Sequence, residues 1–256
     1  MDLMQFGEIP YNGRYIKESF SDRMETDITI LDDCVKCLSY DDMTYRPEFH
    51  GTRIFLGPTV CMALDPEQHG PKDGDKEFKM DILVGSIKTY LPATDFSKTK
   101  LVFLTMFYRN HYLVYCVNFE HGRIDVLDSL DFPSLNTKFN AHHDNEKMGI
   151  LQQRLCNALQ IFSKRFPDFR RWRRIHFTKA PVMVHENDCA SIAFRFLEAY
   201  DGESLSLTDP IDTVSQCANS SQLRSGMLHY MMFHPTNRIK LLPPEIEKYR
   251  QDGVPF

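Results

Sequence analysis

The stretch Met183-Val184-His185-Glu186-Asn187-Asp188-Cys189-Ala190-Ser191-Ile192-Ala193-Phe194-Arg195-Phe196-Leu197 reads as a polar turn that delivers a cysteine onto the first turn of a buried helix. Asn187 or Asp188 can cap that helix by accepting a bond from one of its orphan backbone N–H groups. Ile192, Phe196 and Tyr200 then recur at four-residue spacing, with Ala193 and Leu197 beside them, and Asp201-Gly202 ends the run. A thiol at a helix start feels the positive end of the macrodipole, which favours thiolate and so favours a nucleophile. The same pattern also suits a small core residue, the usual fate of an unpaired cysteine. Which of the two holds depends on what the rest of the chain can bring to the sulfur.

The 256 residues are 42% hydrophobic, enough for a full core and most simply for one domain. A formal net charge of -5 argues against nucleic-acid binding over the whole surface. No apolar run reaches the roughly 18 residues needed to cross a bilayer, and the first eight residues lack the basic-then-apolar order of a signal peptide. The expectation is an intracellular protein, of nucleus or cytoplasm, with no membrane partner. Seven cysteines, at 34, 37, 61, 116, 156, 189 and 217, fit reduced thiols better than a disulfide framework. Cys34 and Cys37 lack a second pair to complete a zinc site, and Leu31, Val35 and Leu38 set both beside the apolar stripe of a helix.

Residues 1–25 are polar and resemble a poorly ordered lead-in. From a cap at Thr26 or Asp27, Ile28, Leu31, Val35 and Leu38 mark an amphipathic helix, and Ile54-Phe55-Leu56 follows a mixed loop. The Gly, Pro and charge-rich run from Asp65 to Glu77 is an exposed loop, and it is not a calcium loop, because Val84 stands where the closing Glu is required. Met80, Leu83, Ile87 and Tyr90 give a second helix, which Pro92 ends. Leu101–Phe107 is a buried strand, and the runs 111–119 and 123–128 around His121-Gly122 form an antiparallel hairpin. Residues 129–147 are a polar connection in which His142-His143-Asp144 reads as exposed loop, since neighbouring histidines point apart and no further ligands stand nearby. Ile150 or Leu151 opens a helix through Phe166, closed by Pro167. Six basic residues between Lys164 and Arg174 suit a solvated loop, or a dock for an acidic partner. After a short strand at 175–177 and the cysteine helix, a last helix runs from Leu223 to Phe233, and Pro243-Pro244 opens a tail. Asn219-Ser220-Ser221 matches a glycosylation acceptor, of little weight without a signal peptide.

A cysteine nucleophile needs a base to take its proton and a third group to orient that base. Among ten histidines, His111 stands out because it opens a β-rich run directly after Arg109-Asn110, at the end of a sheet. Asp128, at the end of the next strand, can accept the other imidazole N–H and fix its tautomer. A symmetric two-residue turn at His121-Gly122 sets Asp128 opposite Tyr115, four positions from His111 at about 3.3 Å each, too far for a hydrogen bond. The pair therefore requires a bulged or shifted register, or a His111 bent back off the strand end.

His111-Tyr112, Val126-Leu127-Asp128-Ser129-Leu130 seventeen residues after His111, and Asn187-Asp188-Cys189 before an apolar helix together resemble the signatures of the SUMO or sentrin-type proteases, closest to their diverged plant branch. The similarity covers residues 26–240, leaving 1–25 as lead-in and 241–256 as a C-terminal tail. It implies an α+β, papain-like fold: a central, mostly antiparallel sheet flanked by helices, with the catalytic cysteine at a helix N-terminus. It further implies a cysteine peptidase or isopeptidase cleaving after the C-terminal Gly-Gly of a SUMO-like modifier. Cys189 is then the nucleophile, His111 the general base and acid, and Asp128 the residue that orients it. Tyr112 replaces the usual Trp that lines the channel over the Gly-Gly end. The expected partners are the modifier and its conjugates, with the chain acting as a monomer and needing no cofactor.

Two positions depart from the family pattern. Six residues before the cysteine, where a Gln amide usually helps hold the oxyanion, stands Met183, which has no donor. Losing one such donor typically costs about 100- to 1,000-fold in rate. The Cys189 backbone N–H remains, and His185 and Asn187 are alternative donors in the same turn. The Gly that usually follows the cysteine is Ala190. The alternative reading is a weakened or inactive homologue that binds a ubiquitin-like protein without cleaving it.

Overall fold

The structure is a computed structural model and describes residues 1–21, 24–69, 77–91, 96–183, 185–206 and 220–250. The expectations for Pro92, Cys217, Asn219 and the 70–76 part of the charged loop lie outside those residues.

The chain opens on a strand pair, β1 (Asp2–Met4) with β2 (Tyr11–Asn12), followed by α1 (Gly13–Phe20). Asn12 caps α1 by accepting from the Tyr15 N–H at 2.9 Å. This segment is folded onto the core rather than a polar lead-in: Leu3, Met4, Tyr11, Ile16 and Phe20 are buried, so the apolar residues dispersed among the polar ones all face one way. Next, α2 (Ile28–Thr44) begins at the expected cap, where Asp27 accepts from the Thr29 N–H at 2.8 Å, and it buries both Cys34 and Cys37. Then come β3 (Arg53–Leu56), α3 (Pro58–Leu64), α4 (Pro66–His69) and α5 (Met80–Lys88).

The middle of the chain supplies β4 (Leu101–Tyr108), β5 (His111–Asn118) and β6 (Arg123–Leu127). The connection expected to be loop contains α6 (Phe139–His143), and α7 (Glu146–Phe162) starts ahead of Ile150 because Asn145 caps it, accepting from the Met148 N–H at 3.0 Å. It stops at Ser163, short of Pro167. After β7 (Arg174–His176) come α8 (Cys189–Ala199), α9 (Ser220–Phe233) and α10 (Pro244–Glu247). Leu242 and Ile246 of the expected tail pack against the core.

Five strands form one sheet in the order β3-β4-β5-β6-β7. The central three are antiparallel to one another, while β3 runs parallel to β4 and β7 parallel to β6. Every residue of β5 is buried, as expected of a central strand covered on both faces, and α8 packs against it. The hairpin between β5 and β6 settles the register that decides the site. Its loop is longer than a two-residue turn: Asn118 pairs with Arg123, and Val114 pairs with Leu127. Asn118 closes the loop by accepting from the His121 N–H at 3.1 Å, and Gly122 takes the left-handed conformation with φ +59°. This shift carries Asp128 past Leu127 toward Leu113, which shares a pleat face with His111.

Candidate active site

The β4–β5 turn fixes where His111 stands. Tyr108 pairs with His111, leaving only Arg109 and Asn110 between the strands, at φ 53° and φ 58°. Two consecutive left-handed residues make the hairpin turn whose twist matches the strands, and Asn is among the few residues that enter that region easily. His111 is thereby the first residue of a buried strand, itself 5% exposed.

Its imidazole lies between two partners. Nε2 is 2.8 Å from Asp128 Oδ1, and the ring lies close enough to Cys189, the first residue of α8, for the cysteine to act on its titration. The three expected residues, from β5, the end of β6 and the start of α8, therefore meet at one point. Burial acts to lower the pKa of His111, but the hydrogen bond to Asp128 and the interactions with Asp128 and Cys189 outweigh it and raise the imidazole to about 9. Burial likewise acts to raise Asp128, and it is overcome by hydrogen bonds from His111 and from His143, so its carboxyl lies well below the usual range. Leu130 N–H adds a further bond to Oδ1 at 2.9 Å.

The turn before the cysteine is held from a distance. Asp188 does not cap α8 with its side chain. Its carboxylate instead accepts from Ser220 Oγ at 2.6 Å and from Arg224 Nε at 2.9 Å, both on α9. Arg224, 1% exposed, also donates to the Asn187 carbonyl and to the Ser21 carbonyl. One buried guanidinium on α9 thus ties the turn before Cys189 to the N-terminal segment. Met183 is half-buried against the core, and its N–H donates to the Ser129 carbonyl at 2.9 Å, which lashes the turn to the residue after Asp128. His185 is exposed, Asn187 is half-buried, and Ala190 is buried in α8.

Tyr112 is 3% exposed, with its ring on Phe107 at 4.6 Å between centroids and its hydroxyl donating to the Thr26 carbonyl at 3.4 Å. The ring is fixed and turned inward. Burial first, then the nearby Cys189 charge, pushes its hydroxyl well above the ordinary value.

Two side chains that hold the candidate site escape sequence reading. His143, read there as exposed loop, is 1% exposed and places Nε2 at 3.0 Å from Asp128 Oδ2. Arg224 is invisible because its partner Asp188 lies 36 residues away. A polar residue on the inner face of an otherwise apolar helix was the available signal for Arg224; for His143, nothing local marks it. The basic stretch is partly neutralised: Arg170 pairs with Asp168, and Arg174 with Asp144 at 3.4 Å, while Arg171 and Arg173 are exposed. Among the described residues, no group of His, Cys, Asp or Glu is arranged to hold a metal, and no helix is long and apolar enough to cross a membrane.

No family model matches the sequence, and no curated protein matches it. The fold does have counterparts among solved structures. The C-terminal Ulp1 protease domain in complex with Smt3, the yeast orthologue of SUMO, superposes with a TM-score of 0.61 at 14% identity, over 92% of this chain and 89% of that one. The SUMO protease Ulp1 with its catalytic cysteine oxidised to a sulfenic acid gives 0.59 at 15% identity, over 90% and 87%. The catalytic domain of the Ulp1-like SUMO protease of Chaetomium thermophilum gives 0.54 at 12% identity, over 88% and 79%. The chain has the α+β fold of Ulp1-like SUMO proteases, as the sequence resemblance implies.

Proposed function

We propose that this chain is a cysteine peptidase or isopeptidase that cleaves after the C-terminal Gly-Gly of a SUMO-like modifier. The observation that carries the proposal is a single imidazole, His111, bonded to Asp128 at 2.8 Å and near enough to Cys189 for the cysteine to raise its affinity for a proton. A fold shared with proteases described as SUMO proteases, one of them bound to Smt3, supports the choice of substrate class.

In this reaction Cys189 sulfur attacks the carbonyl carbon of the second glycine, and His111 takes the thiol proton. Negative charge moves onto the carbonyl oxygen, where the Cys189 backbone N–H, at the positive end of α8, meets it. His111 then gives its proton to the leaving amine as the C–N bond breaks, leaving a thioester. Water attacks that thioester, His111 takes the water proton, and the C–S bond breaks to release the modifier's carboxylate. Asp128 holds the ring in the one orientation that serves both steps. Tyr112, expected to line the channel over the glycines, is 3% exposed and packed on Phe107, so it backs the site from beneath rather than walling the substrate.

Met183 favours a second reading, in which the fold binds a modifier without efficient cleavage, because its thioether offers no proton to the oxyanion. The two are separated by turnover of a SUMO–fluorophore amide. A protease releases fluorophore, Cys189→Ser abolishes release, and Met183→Gln raises kcat by about 10-fold or more by restoring the missing donor. A pure binding module holds the modifier equally well with or without the thiol, and it releases nothing in any of the three forms.

A further inference from the structure

Asp128 carries a histidine on each of its oxygens, and the proposed reaction uses only one. His111 Nε2 lies 2.8 Å from Oδ1, and His143 Nε2 lies 3.0 Å from Oδ2. His143 sits at the end of α6, with Phe139 at 4.6 Å and Phe132 at 5.9 Å between ring centroids. Its Nδ1 is 2.8 Å from the Tyr115 hydroxyl on β5. A carboxylate only accepts, so His143 Nε2 bears the hydrogen, and in the neutral ring Nδ1 accepts the phenol's. The resulting chain runs from Tyr115 O–H to His143, from His143 N–H to Asp128, and from His111 N–H to the other oxygen of the same carboxylate. Each member is buried and each is satisfied.

Resting on the cysteine-protease reading, we propose that His143 is a positioning residue for the reaction, a second donor that fixes the Asp128 carboxylate and sets how strongly it holds the proton of His111. Two effects follow from the geometry. With both oxygens engaged, the carboxylate cannot rotate about its Cβ–Cγ bond, so His111 keeps a single orientation. The donor on Oδ2 also draws negative charge from Oδ1, which weakens the pull of Asp128 on His111 and lets the imidazole release its proton to the leaving amine. The other ionisable groups facing this cluster are Cys189, Tyr108, His142, Asp144, Arg174, His176 and, through His142, Arg109. Asp128 accepts side-chain hydrogen bonds from His111 and His143, and the Leu130 backbone N–H adds one on Oδ1.

The test replaces His143 with Phe, which keeps an aromatic ring but no donor, and with Gln, whose amide can donate to Oδ2. The primary readout is the titration of His111, followed by NMR of histidine-labelled full-length protein, which needs neither substrate nor turnover. The expected result is that His143→Phe moves the His111 midpoint upward by about half a pH unit or more, and that His143→Gln returns it toward wild type. Turnover of the modifier amide is expected to fall about 10-fold or more in kcat for the Phe variant with KM little changed, and to recover with Gln. A folded His143→Phe with an unmoved His111 titration overturns the proposal, whatever the activity. If that variant does not fold, the wild-type nitrogen spectrum decides, since a His143 without a proton on Nε2 also overturns it. Loss of the protease reading itself appears differently, as absent turnover in wild type with the His111 titration still responding to His143.

Discussion

In the proposed reaction His111 is the residue that moves the proton, and its environment makes a pH prediction. Raised from an ordinary 6.5 to about 9, it stays protonated through neutrality beside Cys189. Activity should therefore persist to about 9 and fall above it, as His111 loses the proton owed to the leaving amine, and a kcat/KM profile measures this. A fall beginning near 6.5 would contradict the raised value. Stability moves in the same sense: the folded state holds this proton more tightly than the unfolded chain. The contribution is complete below 6.5 and lost as pH rises through about 9. His111 and Cys189 were legible in the sequence because each sits at an element start marked by turn residues. His143 was not, because the neighbouring His142 and a polar surround give it the look of loop, while its burial comes from Phe132, Phe139 and Tyr115.

At the scale of elements, the helix α8 that carries Cys189 was readable from four-residue apolar spacing, but the device that holds its leading turn was not. Local reading offers Asn187 or Asp188 as the cap, whereas a buried ion pair with Arg224 of α9 claims the Asp188 carboxylate at 2.9 Å. Arg224→Met leaves that carboxylate buried without its cation and should cost about 3–5 kcal/mol, measured by urea denaturation. Adding Asp188→Asn should recover part of the loss, since it removes the stranded charge. A single variant as stable as wild type would mean that the turn is held by other contacts. The hairpin has the same lesson: loop length, set by the Asn118 side chain and Gly122, moved the β5–β6 register from the symmetric-turn expectation and brought Asp128 within reach of His111.

Across the whole molecule, one core runs from Leu3 to Met232, so the domain begins well before residue 26. The polar composition of the first residues hid this, because apolar positions spread over two short strands and a helix show no single period. Asn237 stitches the segment to the far end of the chain, accepting from the Gln5 N–H at 2.9 Å and donating to the Leu3 carbonyl at 3.2 Å. Deleting residues 1–20 removes the buried Leu3, Met4, Tyr11, Ile16 and Phe20 and should cost about 5 kcal/mol or more, read as a large drop in Tm. An unchanged Tm would return the segment to a dispensable lead-in. The central claim, that these separated elements converge to arm one sulfur, is tested most directly by a SUMO-like modifier carrying an electrophile in place of its terminal carboxylate, with the adduct mapped by mass spectrometry. The expected result is a single adduct at Cys189 that is strongly diminished in His111→Ala; labelling at another cysteine, or no labelling with any modifier, would contradict it.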